Sequence, residues 1–172
     1  MKNSTKLITI LLVFLSITVY AQKFEVEESD KTIADFKETD PDIAKFFDSS
    51  YGYAVLYSVG KGGIGVGGAS GKGTVYKGGS PVADVRMTQV TVGLQLGGQK
   101  YAEIIFFKDE DHYERFVGSN YEFSAQVSAV ALKEGASADA EYREGVLVFT
   151  RAIGGLMYEA SIGGQKFKVT MH

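Results

Sequence analysis

The sequence predicts an α+β domain: a twisted antiparallel sheet tending to a barrel or sandwich, with short helices packed against it. Three observations predict this. The acidic stretch 23–49 carries its apolar residues at helical spacing. From Tyr51 onward apolar residues recur at strand period. Between Gly60 and Gly79, ten of twenty residues are glycine, a density no helix tolerates at roughly 1 kcal/mol per glycine.

Residues 1–21 read as a cleavable secretory signal. Lys2 and Lys6 form a positive start, Leu7 to Val19 is almost unbroken apolar sequence, and Val19-Tyr20-Ala21 is a small-residue cleavage pattern. The apolar run is too short for a hydrocarbon core that needs roughly 20 residues. Cleavage is expected near Ala21-Gln22, with a periplasmic or secreted product. Residues 22–49 are expected to be a helical segment packing on a glycine-rich, β-dominated domain over 50–172. The formal net charge of the whole chain is −3, and losing the two signal lysines makes the remainder more acidic. That argues against a nucleic-acid partner, which usually demands a basic footprint. The chain has no cysteine, so neither disulfides nor thiol chemistry enter.

Within 23–49, Ile33 and Phe36, then Ile43, Phe46 and Phe47, predict two short helices near 28–38 and 41–48. Asp40-Pro41 looks like an N-cap followed by proline at the first helical position. Phe46 and Phe47 are expected to dock on the following domain. Tyr51 to Val59 has strand composition, and Val82 to Leu96 alternates with Val90, Val92, Leu94 and Leu96 on one face. Tyr101 to Phe107 is apolar on both faces apart from Glu103, as a central strand would be. Asp109 to Phe116 reads as a helix with Asp111 and Glu114 at capping-box spacing. Ala125–Leu132, Tyr142–Thr150, Leu156–Ile162 and the alternating end at Phe167, Val169 and Met171 are further strands. Leu96-Gly-Gly-Gln-Lys-Tyr101 recurs as Ile162-Gly-Gly-Gln-Lys-Phe167, and Gly-Gly at such junctions predicts two similar hairpins.

The glycine tract matches G-x-G-x-x-G at Gly60 and again at Gly63. A dinucleotide site needs a helix after the motif, and here the glycines run on to Gly71-Lys-Gly73 instead. A twisted glycine strand or hairpin, closely approached by another segment, accounts for the tract. No cofactor is expected. Catalytic arrangements are thin: His112 lies on a charged helix, His172 closes the sequence, and Asp109-Glu-Asp-His112 reads as a solvated helix start. Glu103 and Glu159 could form an acid/base pair only if the fold brought them together. Lys61, Lys72, Lys77 and Arg86 fall in or beside the glycine tract, with no acidic residue between Asp48 and Asp84. Such lysines either guard strand edges against aggregation or meet anionic headgroups.

Several long blocks together resemble the SYLF lipid-binding domain family, in its exported bacterial branch. They are Tyr51-Gly-Tyr-Ala-Val55, Gly60 through Gly73, Gln89 through Gln99, Glu103-Ile-Ile-Phe-Phe107, Phe123 through Ala131 and Gly154 through Gln165. They cover roughly residues 40–170 in the family's order. Met87-Thr88-Gln89 stands where eukaryotic members carry a tryptophan-serine-x-proline stretch. The resemblance implies a domain that binds acidic lipid and has no established catalytic activity. The expected function is therefore non-catalytic binding of anionic or amphipathic lipid at a cell-envelope membrane. Lys61, Lys72, Lys77 and Arg86 are nominated as its contacts by charge and location. Two alternatives stay open: an envelope interaction module with a protein partner, and a carboxylate-based hydrolase using Glu103, Glu159 or Asp84.

Overall fold

The computed structural model describes residues 22–118, 121–123 and 129–172, with backbone alone at 65, 91–96, 121–123 and 156–163. Helix α1 covers 22–39. A 3-10 turn, Pro41–Ile43, leads into α2, Ala44–Ser49. Strands β1 (Gly52–Lys77) and β2 (Ser80–Phe107) follow, then α3 (Glu110–Val117), β3 (Tyr121–Phe123), β4 (Ala129–Ala131) and β5 (Val146–Met171). The fold is α+β, as the sequence predicts. Its one mixed sheet runs β1-β2-β5-β3, with β4 parallel to β5 and every other pair antiparallel.

The three long strands fold back on themselves. Val55 and Gly73 belong to the same strand and would lie roughly 60 Å apart if it were straight, at about 3.4 Å per residue. Instead a methyl added at Gly73 would fall on the Val55 carbonyl, and one at Gly52 would meet the carbonyl of Tyr76. A bulge between Ile64 and Val66 marks the bend. Residues 52–63, 97–107 and 146–156 thus form a first half of the sheet, and 66–77, 80–92 and 162–171 a second. The halves meet along a glycine seam without a ladder between them, so the sheet does not close into a barrel.

Strand alternation then sorts the side chains into two cores. Leu56, Val59, Ile105, Phe107 and Val148 point inward and meet Val85, Met87 and Phe167 of the second half. Tyr53, Val55, Ile104, Phe106 and Phe149 point outward beneath the amino-terminal helices, where Phe36, Ile43 and Phe46 cover them. β2 is the central strand that Tyr101–Phe107 predicts. Phe46 lies 5.8 Å from the Phe106 ring and 5.7 Å from Phe149, and Phe47 packs edge-on to Phe106 at 4.8 Å.

Helix α1 is longer than the 28–38 segment its apolar spacing predicts, because its buried face is largely polar. Glu25, Ser29, Thr32 and Phe36 are all buried at four-, three- and four-residue steps. Ser29 donates to Thr74 at 3.0 Å, Tyr76 donates to Asp30 at 2.7 Å, and Arg151 reaches Asp35 at 2.5 Å. Asp40 caps the following turn as expected, accepting from the Asp42 amide with Pro41 at the first helical position. Its other oxygen takes the Ser137 amide at 2.7 Å.

The α3 cap and the echoed Gly-Gly pairs differ from what the sequence predicts, and the strands expected at Tyr142–Thr150, Leu156–Ile162 and the carboxyl end are one strand, β5. The helix-α3 cap is Asp109, which accepts from the His112 amide at 3.1 Å, rather than Asp111. The Leu96–Tyr101 echo is not a hairpin. β2 runs through it with Gly97 opposite Gly63 on one side and Met157 on the other, and β5 runs through Ile162–Phe167. With neighbours on both sides, a glycine pair bends a strand without reversing it. The true two-residue turn is Gly78-Gly79, whose φ values of 57° and 78° supply the doubly positive geometry such a turn needs.

Candidate functional site

The second half's outward face carries Val66, Gly68, Ser70 and Lys72 on β1, beside Val90, Thr88 and Arg86 on β2. Its bend end is apolar and unshielded. Ile64 is 80% exposed, Val66 63% and Val90 69%. Gly68 faces Val90 in register, so Val66 and Val90 are diagonal neighbours at roughly 7–8 Å. Next to this end, Gly60, Gly62, Gly98 and Gly154 floor an open groove of about 610 Å³, edged by Lys61, Lys100 and Ile153. A bare apolar tip flanked by lysines is the arrangement that a lipid surface or a protein partner would cover.

The four nominated basic residues do not form one patch. Lys72 and Arg86 are directly opposite each other, a placement of like charges that costs energy. Glu25 of α1 resolves it, with one carboxylate oxygen 3.0 Å from Arg86 and 3.9 Å from Lys72. Lys72 also lies over the half-exposed Phe24 ring at 5.8 Å. Lys77 is at the far hairpin, 3.4 Å from Glu114 and over the rings of Tyr51 and Tyr113. Lys61 pairs across from Gln99 and shares the inward face with Val59. Sequence reasoning missed the apolar tip, although isolated Ile64 and Val66 amid glycines were a signal for it: nothing beside them could bury them.

The carboxylates separate as well. Glu103 is buried between the sheet halves, where Gln165 donates to it at 3.0 Å. Burial pushes its carboxyl up to about 7, against the opposing pull of the Gln165 hydrogen bond and the Lys61 charge. Asp84 lies on the second half and pairs with His172 at 3.0 Å. The Glu159 side chain lies outside the described residues. His112 pairs with Asp109 at 2.5 Å. Among the described residues, no three His, Asp or Glu side chains gather as metal ligands, and no helix is long and apolar enough to cross a membrane. The predicted signal, 1–21, lies outside the described residues.

No known family model matches the chain. It is similar to beta cell expansion factor A of Aeromonas veronii, at 29% identity over 136 residues. That alignment takes in 74% of this chain and 49% of the relative, so the chain spans about half the length of the curated relative it matches.

Proposed function

We propose that the protein binds anionic or amphipathic lipid at a membrane of the cell envelope, without catalysis. The observation that carries this reading is the exposure of Ile64, Val66 and Val90 at the bend of the sheet, with the lysine-edged groove at 60–62 a few residues along β1. Aliphatic tips inserting below the headgroups would gain roughly 25 cal/mol per Å² of apolar surface removed from water. Each nearby lysine would add about 1 kcal/mol against an anionic leaflet. The SYLF-like blocks support the same reading, since most of them fall on β1, β2 and β5. Export past residue 21 would deliver the protein to an envelope membrane.

Co-flotation of the purified protein with neutral and anionic vesicles, at low and high salt, tests it. Binding to anionic vesicles that weakens with salt is expected. Replacing Ile64, Val66 and Val90 by serine should abolish that binding while leaving the fold intact, because none of the three is buried. Undiminished flotation of the triple variant would rule out this site. Loss of all vesicle binding together with a defined oligomer would favour the envelope interaction module.

A further inference from the structure

Glu103, Gln165 and Gln89 all project into the gap between the sheet halves. Glu103 projects inward from the first half of β2, on the face of Ile105 and Phe107. Gln165 projects inward from the second half of β5, on the face of Phe167, and its amide donates to one oxygen of Glu103. Gln89 stands opposite Gln165 in register, on the face of Met87. The second oxygen of Glu103 and the amide oxygen of Gln89 are both buried without a hydrogen-bond partner. Leaving two buried acceptors unpaired costs free energy, and one proton shared between them would satisfy both.

We propose that Glu103 carries a proton in the folded protein and donates it to the amide oxygen of Gln89, making Glu103, Gln89 and Gln165 a pH-dependent latch between the sheet halves. Burial favours this against the described groups that face Glu103. β1 brings the charge of Lys61 to bear on it. β5 brings Gln165, with Thr150 opposite in register, and α3 presents Phe116 to the same core. Burial outweighs the Gln165 hydrogen bond and the Lys61 charge, and the carboxyl holds its proton up to about pH 7. Once ionised, the carboxylate faces the Gln89 oxygen with no donor between them, and the halves separate at the end that bears the groove and the apolar tip. The latch itself does not depend on what that end binds.

A carboxyl raised from 4.5 to about 7 by folding contributes stability that is complete below 4.5 and lost as pH rises through 7. The thermal midpoint of the unmodified protein should therefore fall by several degrees between about pH 5 and 8, and that of Glu103→Gln should not. Infrared difference spectroscopy reads the proton without depending on the variant's folding. A carboxylic-acid carbonyl band should be present at about pH 5.5 and disappear near pH 7. In Gln89→Leu the band should titrate lower, because the neutral acid has lost its acceptor. Absence of the band at pH 5.5, or an unchanged midpoint profile in Glu103→Gln, would overturn the latch.

Discussion

A methyl group at Gly73 would fall on the Val55 carbonyl, and one at Gly71 would lie 2.7 Å from Val59 Cγ2. Backbone on one side of the seam has no room to yield, so these glycines are there for close approach. At Gly60, in the same strand, an added methyl would meet nothing within 4 Å. Gly73→Ala should therefore cost about 1–3 kcal/mol or more, as overpacking does. Gly60→Ala should instead gain about 0.4–1 kcal/mol by restricting the unfolded chain. Urea titration of the two variants checks both signs. Similar losses in both would mean that glycine serves backbone flexibility throughout the tract. Phe36 offers a contrast on the covered face: it is fully buried, and Phe36→Ala should cost about 3–5 kcal/mol.

Helix α1 is held by polar contacts spaced along its length, and its first turn rests on Glu25. Arg86 and Lys72 are about half exposed, so the pairing is screened and worth at most about 1 kcal/mol. Glu25→Gln should leave global stability nearly unchanged. It should raise hydrogen exchange in residues 22–30 relative to 31–39, where Asp35 and Phe36 still anchor the helix. It should also leave the Lys72–Arg86 pair uncompensated and increase binding to anionic vesicles. Peptide-resolved exchange and co-flotation measure the two effects separately. Unchanged exchange would show that Ser29 and Asp30 alone hold this turn.

For the whole molecule, two buried carboxyls set opposite limits of pH. Burial raises Asp40, but hydrogen bonds from Ser137, Asp42 and Gly135 outweigh it and hold the carboxyl below 3.8. Its contribution is present above 3.8 and lost as pH falls through the lowered value. Glu103 works in the other direction, weakening the fold between 4.5 and about 7. Stability should therefore peak in mildly acidic solution, at about pH 4–5, and chemical denaturation across pH 3–9 measures the curve. Asp40→Asn should blunt the acid limb and leave the neutral limb in place. A maximum at or above pH 7 would mean that other charges dominate both.

The sequence by itself determined the fold class, the central position of Tyr101–Phe107 and the Asp40-Pro41 helix start. Each is written in local periodicity or in the chemistry of adjacent residues. It also determined that the glycine tract is strand rather than a nucleotide loop, because glycine density alone defeats a helix. Only the tertiary structure decided that β1, β2 and β5 fold back across a glycine seam, and that the echoed Gly-Gly pairs bend strands instead of reversing them. The local sequence of a bend and a hairpin is the same, and flanking strands choose between them. The polar buried face of α1 was equally illegible, since Glu25, Ser29 and Thr32 look solvated until Thr74 and Arg86 arrive from two strands more than forty residues away. The basic residues divided for that reason too. Charge proximity is a property of register and of what packs over each strand, and neither can be read along the chain.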